Sequence, residues 1–300
     1  KTIDKQVVIG VYYCDLNPRF SINKKRLNAL IKESKNQDTK LIFFCSKDVD
    51  FESRTIEADV FKNGKWITET TNFPDVIHNV FPKIRIQRSR TERMLRKEIP
   101  FTCFNIGNKF YFPKKIVESG KFAELLVPFK VVTDISVLHQ FLDKNRKAVI
   151  KPIRGRQGQQ IFFVEMKGKR YSVLEHKKHY ILNGEQFDNW VNKVILKEIG
   201  SYIIQKYVEC RTKAGEPFDI RAHVQKNGEG KWVLTRIYPR IGNKKSILSN
   251  ISRGGRTEEL SKLLIDEFGT DGKKIYDEII NLSMDLTIHI DKLHNFAFDE

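Results

Sequence analysis

Two near-continuous apolar runs do most to restrict the fold. Val7–Tyr13 reads VVIGVYY and Lys40–Cys45 reads KLIFFC. Runs without polar alternation belong to strands covered on both faces, the habit of parallel sheets. Between them, Asn23–Lys35 has helical spacing, with Leu27, Leu30 and Ile31 on one side and lysines on the other. Strand, helix, strand at this separation predicts a parallel βαβ opening. Glu57–Thr70 then predicts a hairpin turning at Asn63–Gly64. Asp75–Asn79 predicts a short strand, and Arg88–Glu98 a basic helix stopped before Pro100.

A second regime starts near Asn105. Pro113–Gly120 and Ser136–Lys144 predict helices, Lys147–Pro152 a buried strand, and Gln160–Glu165 another strand after a Gly-containing loop, Arg154–Gly158. Glu185–Leu196 reads as a helix and Tyr202–Val208 as a strand. Phe218–Lys226 and Lys231–Ile241 read as two long strands joined at Asn227–Gly230. Thr257–Phe268 and Gly272–His289 complete the pattern as helices. No internal repeat or low-complexity linker interrupts it.

The 300 residues allow two ordinary domains. The charge is less ordinary: 54 Lys and Arg against 37 Asp and Glu leave +17. Such a field favours anionic partners, whether nucleotides, polyphosphates, acidic peptides or nucleic acid. No apolar run is long enough for a transmembrane helix, and Lys1–Gln6 lacks the apolar core of a signal peptide. Cys14, Cys45, Cys103 and Cys210 are scattered without metal-ligand spacing. Reduced thiols in a cytoplasmic protein fit that use of cysteine.

Four segments could carry chemistry, and each has a plainer reading. Lys151–Gly158 (KPIRGRQG) could bring backbone N–H groups and an ammonium to a phosphate, or be a hairpin with a surface Lys. It lacks the ending of a Walker loop. Ile203–Glu209 (IIQKYVE) could offer backbone groups to a base, with Tyr207 and Val208 as apolar walls, or simply be a strand end. In Pro217–Lys226 (PFDIRAHVQK), alternation puts Asp219 and Arg221 on one face, either as a surface ion pair or as a carboxylate and an anion clamp. Ser246–Arg256 (SILSNISRGGR) could wrap an anion or be a polar connection.

Their order along the chain resembles the ATP-grasp superfamily, and in particular its YheC/YheD family of endospore-coat-associated proteins. The likeness runs through Gly64–Trp66 (GKW), Pro74–Asn79 (PDVIHN), Phe104, Asn105 and Asn108–Phe110 (NKF). It is longest at Pro217–Thr235 and continues through Arg240–Gly242. The Asp-Ile-Arg and SNxxRGG elements also look like those of glutamate ligases that extend ribosomal protein tails.

The resemblance implies an α/β (α+β) protein. Residues 1–104 would form a parallel-sheet pre-ATP-grasp domain. Residues 105–300 would form an ATP-grasp domain of two subdomains, with a small lid at about 130–205. It implies an ATP-dependent carboxylate–amine ligase working through an acyl phosphate with ATP and Mg²⁺. The substrates would be a small-molecule or peptide carboxylate and an amine. Lys109 and Lys151 match nucleotide-contacting lysines, and Gly155, Gln157 and Gly158 belong to a loop over the phosphates. Gln205, Lys206, Tyr207 and Val208 match the adenine hinge, and Asp219 a ribose-side carboxylate. Ser249 and Asn250 lie beside the phosphates, and Arg221, Arg240 and Arg253 match the catalytic cations around the acyl phosphate.

Three departures keep an alternative open. The family's metal ligands, an Asp and a later Glu-x-Asn, are expected beyond the last long helix, where this chain ends at Asn295–Glu300 (NFAFDE). Asp299 and Glu300 are not assigned to that role, so the metal ligands are unknown. The ending and the missing initiator Met predict a piece of a longer protein. Arg156 and Gln157 are bulkier than the usual loop residues, and Leu248 replaces an Arg of the glutamate ligases. The alternative is a nucleotide-binding, spore-coat-associated structural or interaction protein without turnover. Nucleic-acid binding is the weaker reading: Arg85, Arg88, Arg90, Arg93, Arg96 and Lys97 form the densest basic stretch, but no nucleic-acid module is recognisable, and a solvated helix face explains the charge.

Overall fold

A computed structural model describes residues 6–80, 88–103, 107–154, 160–175, 178–198, 200–244, 249 and 254–293. The chain divides into two compact units, Lys1–Ile106 and Gly107–Leu293.

In the first unit, β1 (Val8–Tyr12), α1 (Pro18–Ser21), α2 (Lys24–Asn36) and β2 (Lys40–Phe44) open the chain. Asn23 caps α2, its Oδ1 accepting the Arg26 N–H at 2.9 Å. Then come β3 (Val49–Asp50), β4 (Thr55–Lys62), β5 (Lys65–Asn72), β6 (Val76–Asn79) and α3 (Arg90–Glu98). The sheet runs β3-β4-β2-β1-β6, with β5 paired to β4. β1 is parallel to both β2 and β6, as the apolar runs require. Phe43, Phe44 and Ile42 of β2 have no exposed surface. The β4–β5 hairpin turns at Asn63 and Gly64, both at positive φ (47° and 79°), the primed turn that follows strand twist.

The basic helix is not a solvated face throughout. Glu92, 1% exposed, accepts Arg96 Nε at 2.9 Å and lies 3.6 Å from Arg88 Nε. Arg96 also lies 3.9 Å over the Phe101 ring. Two of the expected surface cations are therefore turned inward onto a buried acid, while Arg90, Arg93 and Lys97 stay exposed. Arg85 lies outside the described residues.

The second unit begins with α4 (Tyr111–Ser119), β7 (Phe129–Val131), α5 (Ile135–Asn145), β8 (Lys147–Pro152) and β9 (Phe162–Lys167). A hairpin that the sequence reading left unassigned follows, β10 (Arg170–Glu175) and β11 (Lys178–Leu182), and then α6 (Gly184–Val194) and β12 (Tyr202–Lys206). These strands form an antiparallel sheet ordered β11-β10-β9-β8-β12-β7. Its core lies under α5 and α6, where Tyr171 stacks on Phe187 at 4.0 Å. β9 starts at Phe162 rather than Gln160, because Gln160 turns the chain with φ 53°.

The last part holds β13 (Phe218–Lys226), β14 (Trp232–Ile241), β15 (Arg256–Thr257), α7 (Leu260–Phe268) and α8 (Gly272–Leu293). The strands pair antiparallel in that order. Thr257 pairs with Arg240 in the sheet, so the helix expected from that residue begins three positions later. The two helices meet closely at Gly272, where a Cβ would lie 2.6 Å from the Leu264 carbonyl oxygen. Asp291 of α8 accepts Trp232 Nε1 at 2.9 Å and pairs with Lys226 Nζ at 2.9 Å, fixing the turn end of the β13–β14 hairpin. Among the described residues, no helix is long and apolar enough to cross a membrane.

Candidate functional site

Alternation along β8 turns Ala148, Ile150 and Pro152 into the core and leaves Lys147, Val149 and Lys151 on the other face. β12 brings Ile203 opposite Lys151 and Gln205 opposite Val149 on that same face. Lys151 Nζ donates to Gln205 Oε1 at 2.5 Å. Lys109, just ahead of α4, donates to the Pro152 carbonyl at 3.1 Å. Burial pushes both lysines below the ordinary range, and the charge of Lys109 lowers Lys151 further. Two neighbouring, partly desolvated ammonium groups favour an anion, which would restore what burial removes. A cleft of about 670 Å³ opens beside them, lined by Asn108, Pro152, Arg154 and Ser201 among others.

The Gln205–Val208 stretch is a strand end running into an extended connection. Gln205 also donates through Nε2 to the Val127 carbonyl at 3.4 Å. The Lys206 and Tyr207 N–H groups are used by the sheet, bonding Pro128 O at 2.9 Å and Lys147 O at 3.1 Å. Antiparallel pairs normally exchange bonds in both directions, but Pro128 has no N–H to return. The Lys206 carbonyl therefore lacks its ladder donor at the strand edge. The Tyr207 ring stands edge-on to Phe163 at 4.8 Å, and Val208 is exposed. The expected strand through Val208 thus stops at Lys206.

From there the chain reaches the hairpin. The Phe218 N–H bonds the Cys210 carbonyl at 3.1 Å, and burial, with the Asp219 charge, raises the Cys210 thiol. Asp219 faces Arg240 across the strands. Arg240 Nε donates to Oδ1 at 2.6 Å and Nη2 to Oδ2 at 2.7 Å, a bidentate pair that raises the Arg240 pKa. Buried Ser249 donates to the same carboxylate at 2.5 Å. The surface ion pair weighed for Asp219 and Arg221 is not formed. Neighbours across a ladder are closer than residues two apart on one strand, so Arg240 takes the carboxylate. Arg221 is exposed on the same face, opposite Tyr238.

The structure thus gathers Lys109, Lys151 and Gln205 on one side, and Asp219, Arg240 and Ser249 on another, joined through Lys206–Cys210. Gly155, Gln157, Gly158, Asn250 and Arg253 lie outside the described residues. So do Asp299 and Glu300. Among the described residues, no three His, Cys, Asp or Glu side chains gather to hold a metal ion. Asp219, the carboxylate at this site, is already held by Arg240. The sequence reading missed His223, Arg236 and Tyr238, which share the face of Asp219 and Arg221. The alternation that selected Asp219 and Arg221 continues to His223 and would have found it.

Residues 98–300 match the YheC/D-like ATP-grasp family, and the chain belongs to that family. The endospore coat-associated protein YheD of Bacillus subtilis (strain 168) is 23% identical over 235 residues, covering 74% of this chain and 51% of that protein. YheC of the same organism is 24% identical over 172 residues, covering 54% of this chain and 45% of that protein. The chain spans about half the length of these relatives. Among solved structures, D-alanyl-alanine synthetase A of Vibrio cholerae is similar with a TM-score of 0.48 and 12% identity, over 93% of this chain and 81% of that one.

Proposed function

We propose that the protein is an ATP-dependent ligase that joins a carboxylate to an amine through an acyl phosphate. The observation that carries this reading is the desolvated Lys109–Lys151 pair beside Gln205, on the face of the six-stranded sheet away from α5 and α6. In an ATP-grasp chain such a pair suits nucleotide phosphates. The Lys206 carbonyl suits an exocyclic amine of the base, and Tyr207 and Val208 its flanks. Asp219 is then the ribose-side group, and Arg221, Arg240 and Arg253 neutralise the transferred phosphoryl, beside Ser249 and Asn250.

In the first step a substrate carboxylate oxygen attacks the γ-phosphorus. The bond from that phosphorus to the β-bridging oxygen breaks, giving an acyl phosphate and ADP. In the second, an amine attacks the acyl carbon, phosphate leaves, and the amine loses a proton. Neither step needs a protein nucleophile, so catalysis rests on positioning and charge neutralisation. Mg²⁺, when bound with ATP, would neutralise phosphate charge.

The same reading takes residues 1–104 as a pre-ATP-grasp domain and 105–300 as the ATP-grasp part, with a lid at about 130–205. It places the protein in the cytoplasm. The names of the two Bacillus relatives favour a spore-associated setting. The test is calorimetric titration of the protein, and of its full-length parent, with ATP–Mg²⁺, followed by ADP-release assays with carboxylate and amine panels. Absence of nucleotide binding sinks the proposal. Binding without ADP release under any pair would favour a non-catalytic, coat-associated role.

A further inference from the structure

The β13–β14 hairpin has two unlike faces. One packs on α7 and α8, burying Val224, Pro239 and Ile241. The other carries Asp219, Arg221 and His223 from β13, opposite Arg240, Tyr238 and Arg236 from β14. Asp219 and Arg240 neutralise each other. Beyond them the charge is one-signed. Among the described residues, neither Arg221 nor Arg236 has a carboxylate partner.

These cations are set on an ordered base. Arg236 lies 4.7 Å over the Tyr238 ring. Tyr238 stacks on His223 with centroids 5.7 Å apart and planes 16° from parallel, and its Oη hydrogen-bonds His223 Nε2 at 3.2 Å. A stacked guanidinium keeps its outward N–H groups in a fixed direction, so less freedom is lost when it grips an anion. Burial and the charges of Arg221 and Arg236 push His223 below its ordinary range.

We infer that Arg236, set on the Tyr238–His223 stack, forms a subsite for a carboxylate of an acidic peptide segment of the substrate, next to Arg221 at the phosphoryl end. The spacing selects a peptide. Successive same-face positions on a strand are about 6.6 Å apart, so the Arg236–His223 rank lies one step from Arg221, where the reacting carboxylate meets the phosphoryl, and that step is the interval of alternate side chains in an extended chain. A Glu-x-Glu segment lying along the hairpin presents carboxylates at that interval. The inference rests on the ligase reading for its meaning as a substrate site, but the binding stands on its own.

The test uses N-acetyl-hexaglutamate amide as probe and the hexaglutamine peptide as control, in low salt. Hexaglutamate is expected to bind and hexaglutamine not. Arg236→Ala should weaken hexaglutamate at least fivefold, with the thermal unfolding midpoint unchanged, as suits an exposed side chain. The His223 ring resonance, assigned by its loss in His223→Gln, should titrate at higher pH with hexaglutamate bound, because carboxylates offset Arg221 and Arg236. Equal binding of both peptides, no effect of Arg236→Ala, or an unmoved His223 titration would overturn the subsite. Displacement of hexaglutamate by ATP would also overturn it, giving the strip to the nucleotide. ATP–Mg²⁺ titrated alone keeps the two ideas apart: peptide binding without ATP binding leaves the strip and removes the ligase, and the reverse removes only the strip.

Discussion

Arg240 holds Asp219 by both carboxylate oxygens, at 2.6 and 2.7 Å, from directly across the β13–β14 ladder. Ser249 adds a third donor to the same group. The fork commits two of the guanidinium donors and leaves Nη1 for an anion. Lys keeps the charge but not the fork. Arg240→Lys is therefore expected to weaken ATP binding at least tenfold and to cost about 1–2 kcal/mol of stability, the low end for charged hydrogen bonds at a partly exposed site. Calorimetry and urea unfolding measure the two. Undiminished ATP affinity in the variant would take Arg240 out of the nucleotide site.

That pair also marks how far the sequence could be read. β1 and β2 were legible because burial on both faces leaves an unbroken apolar run. The β13–β14 hairpin was legible because Asn227–Gly230 punctuates two long alternating strands. Asp219's partner was not, because Arg221 on the same strand satisfies alternation as well as Arg240 across it. Only register decides, and register here includes a shift between His223 and Val224. β11 escaped because four of its five residues are exposed, leaving no apolar rhythm at the sheet edge. Glu92 reads locally as one more helix-surface acid, and only packing against Arg88 and Arg96 makes it an internal anion.

Lys151 is expected to trade stability for binding. Burial, with Lys109 nearby, holds its pKa below the unfolded value. In the window between the two values the folded chain binds fewer protons, so stability rises with pH there. Below that window the buried charge is a standing penalty. Lys151→Met should raise the unfolding midpoint of the nucleotide-free protein at pH 7, flatten the alkaline gain, and weaken ATP binding at least tenfold. A lower midpoint at pH 7 would mean that the Gln205 hydrogen bond outweighs the desolvation.

Asp291 is the point where α8 fixes the turn end of the hairpin, through Trp232 and Lys226. Removing it leaves an indole N–H and an ammonium without that acceptor at a half-buried place. Asp291→Ala is expected to cost about 2 kcal/mol, read by urea unfolding. Hydrogen exchange should rise first at Lys226–Trp232, before the strand ends near Asp219 and Arg240. Uniform exchange along the whole hairpin would show that the anchor is not local.

Glu92 should be the most sensitive charge in the first unit. It is 1% exposed, and its partners Arg88 and Arg96 have only 13% and 8% of their side chains exposed. Taking away the acid removes the buried carboxylate that Arg88 and Arg96 share, and breaking a buried pair costs about 3–5 kcal/mol. Glu92→Ala should therefore destabilise the N-terminal unit by that amount in urea unfolding. Arg93→Ala, one position along but exposed, should stay within about 0.5 kcal/mol. The contrast separates the two uses of the basic helix: Arg88 and Arg96 hold the fold, whereas Arg90, Arg93 and Lys97 are the charges left for solvent or a partner. Equal effects of Glu92→Ala and Arg93→Ala would return the whole stretch to the surface.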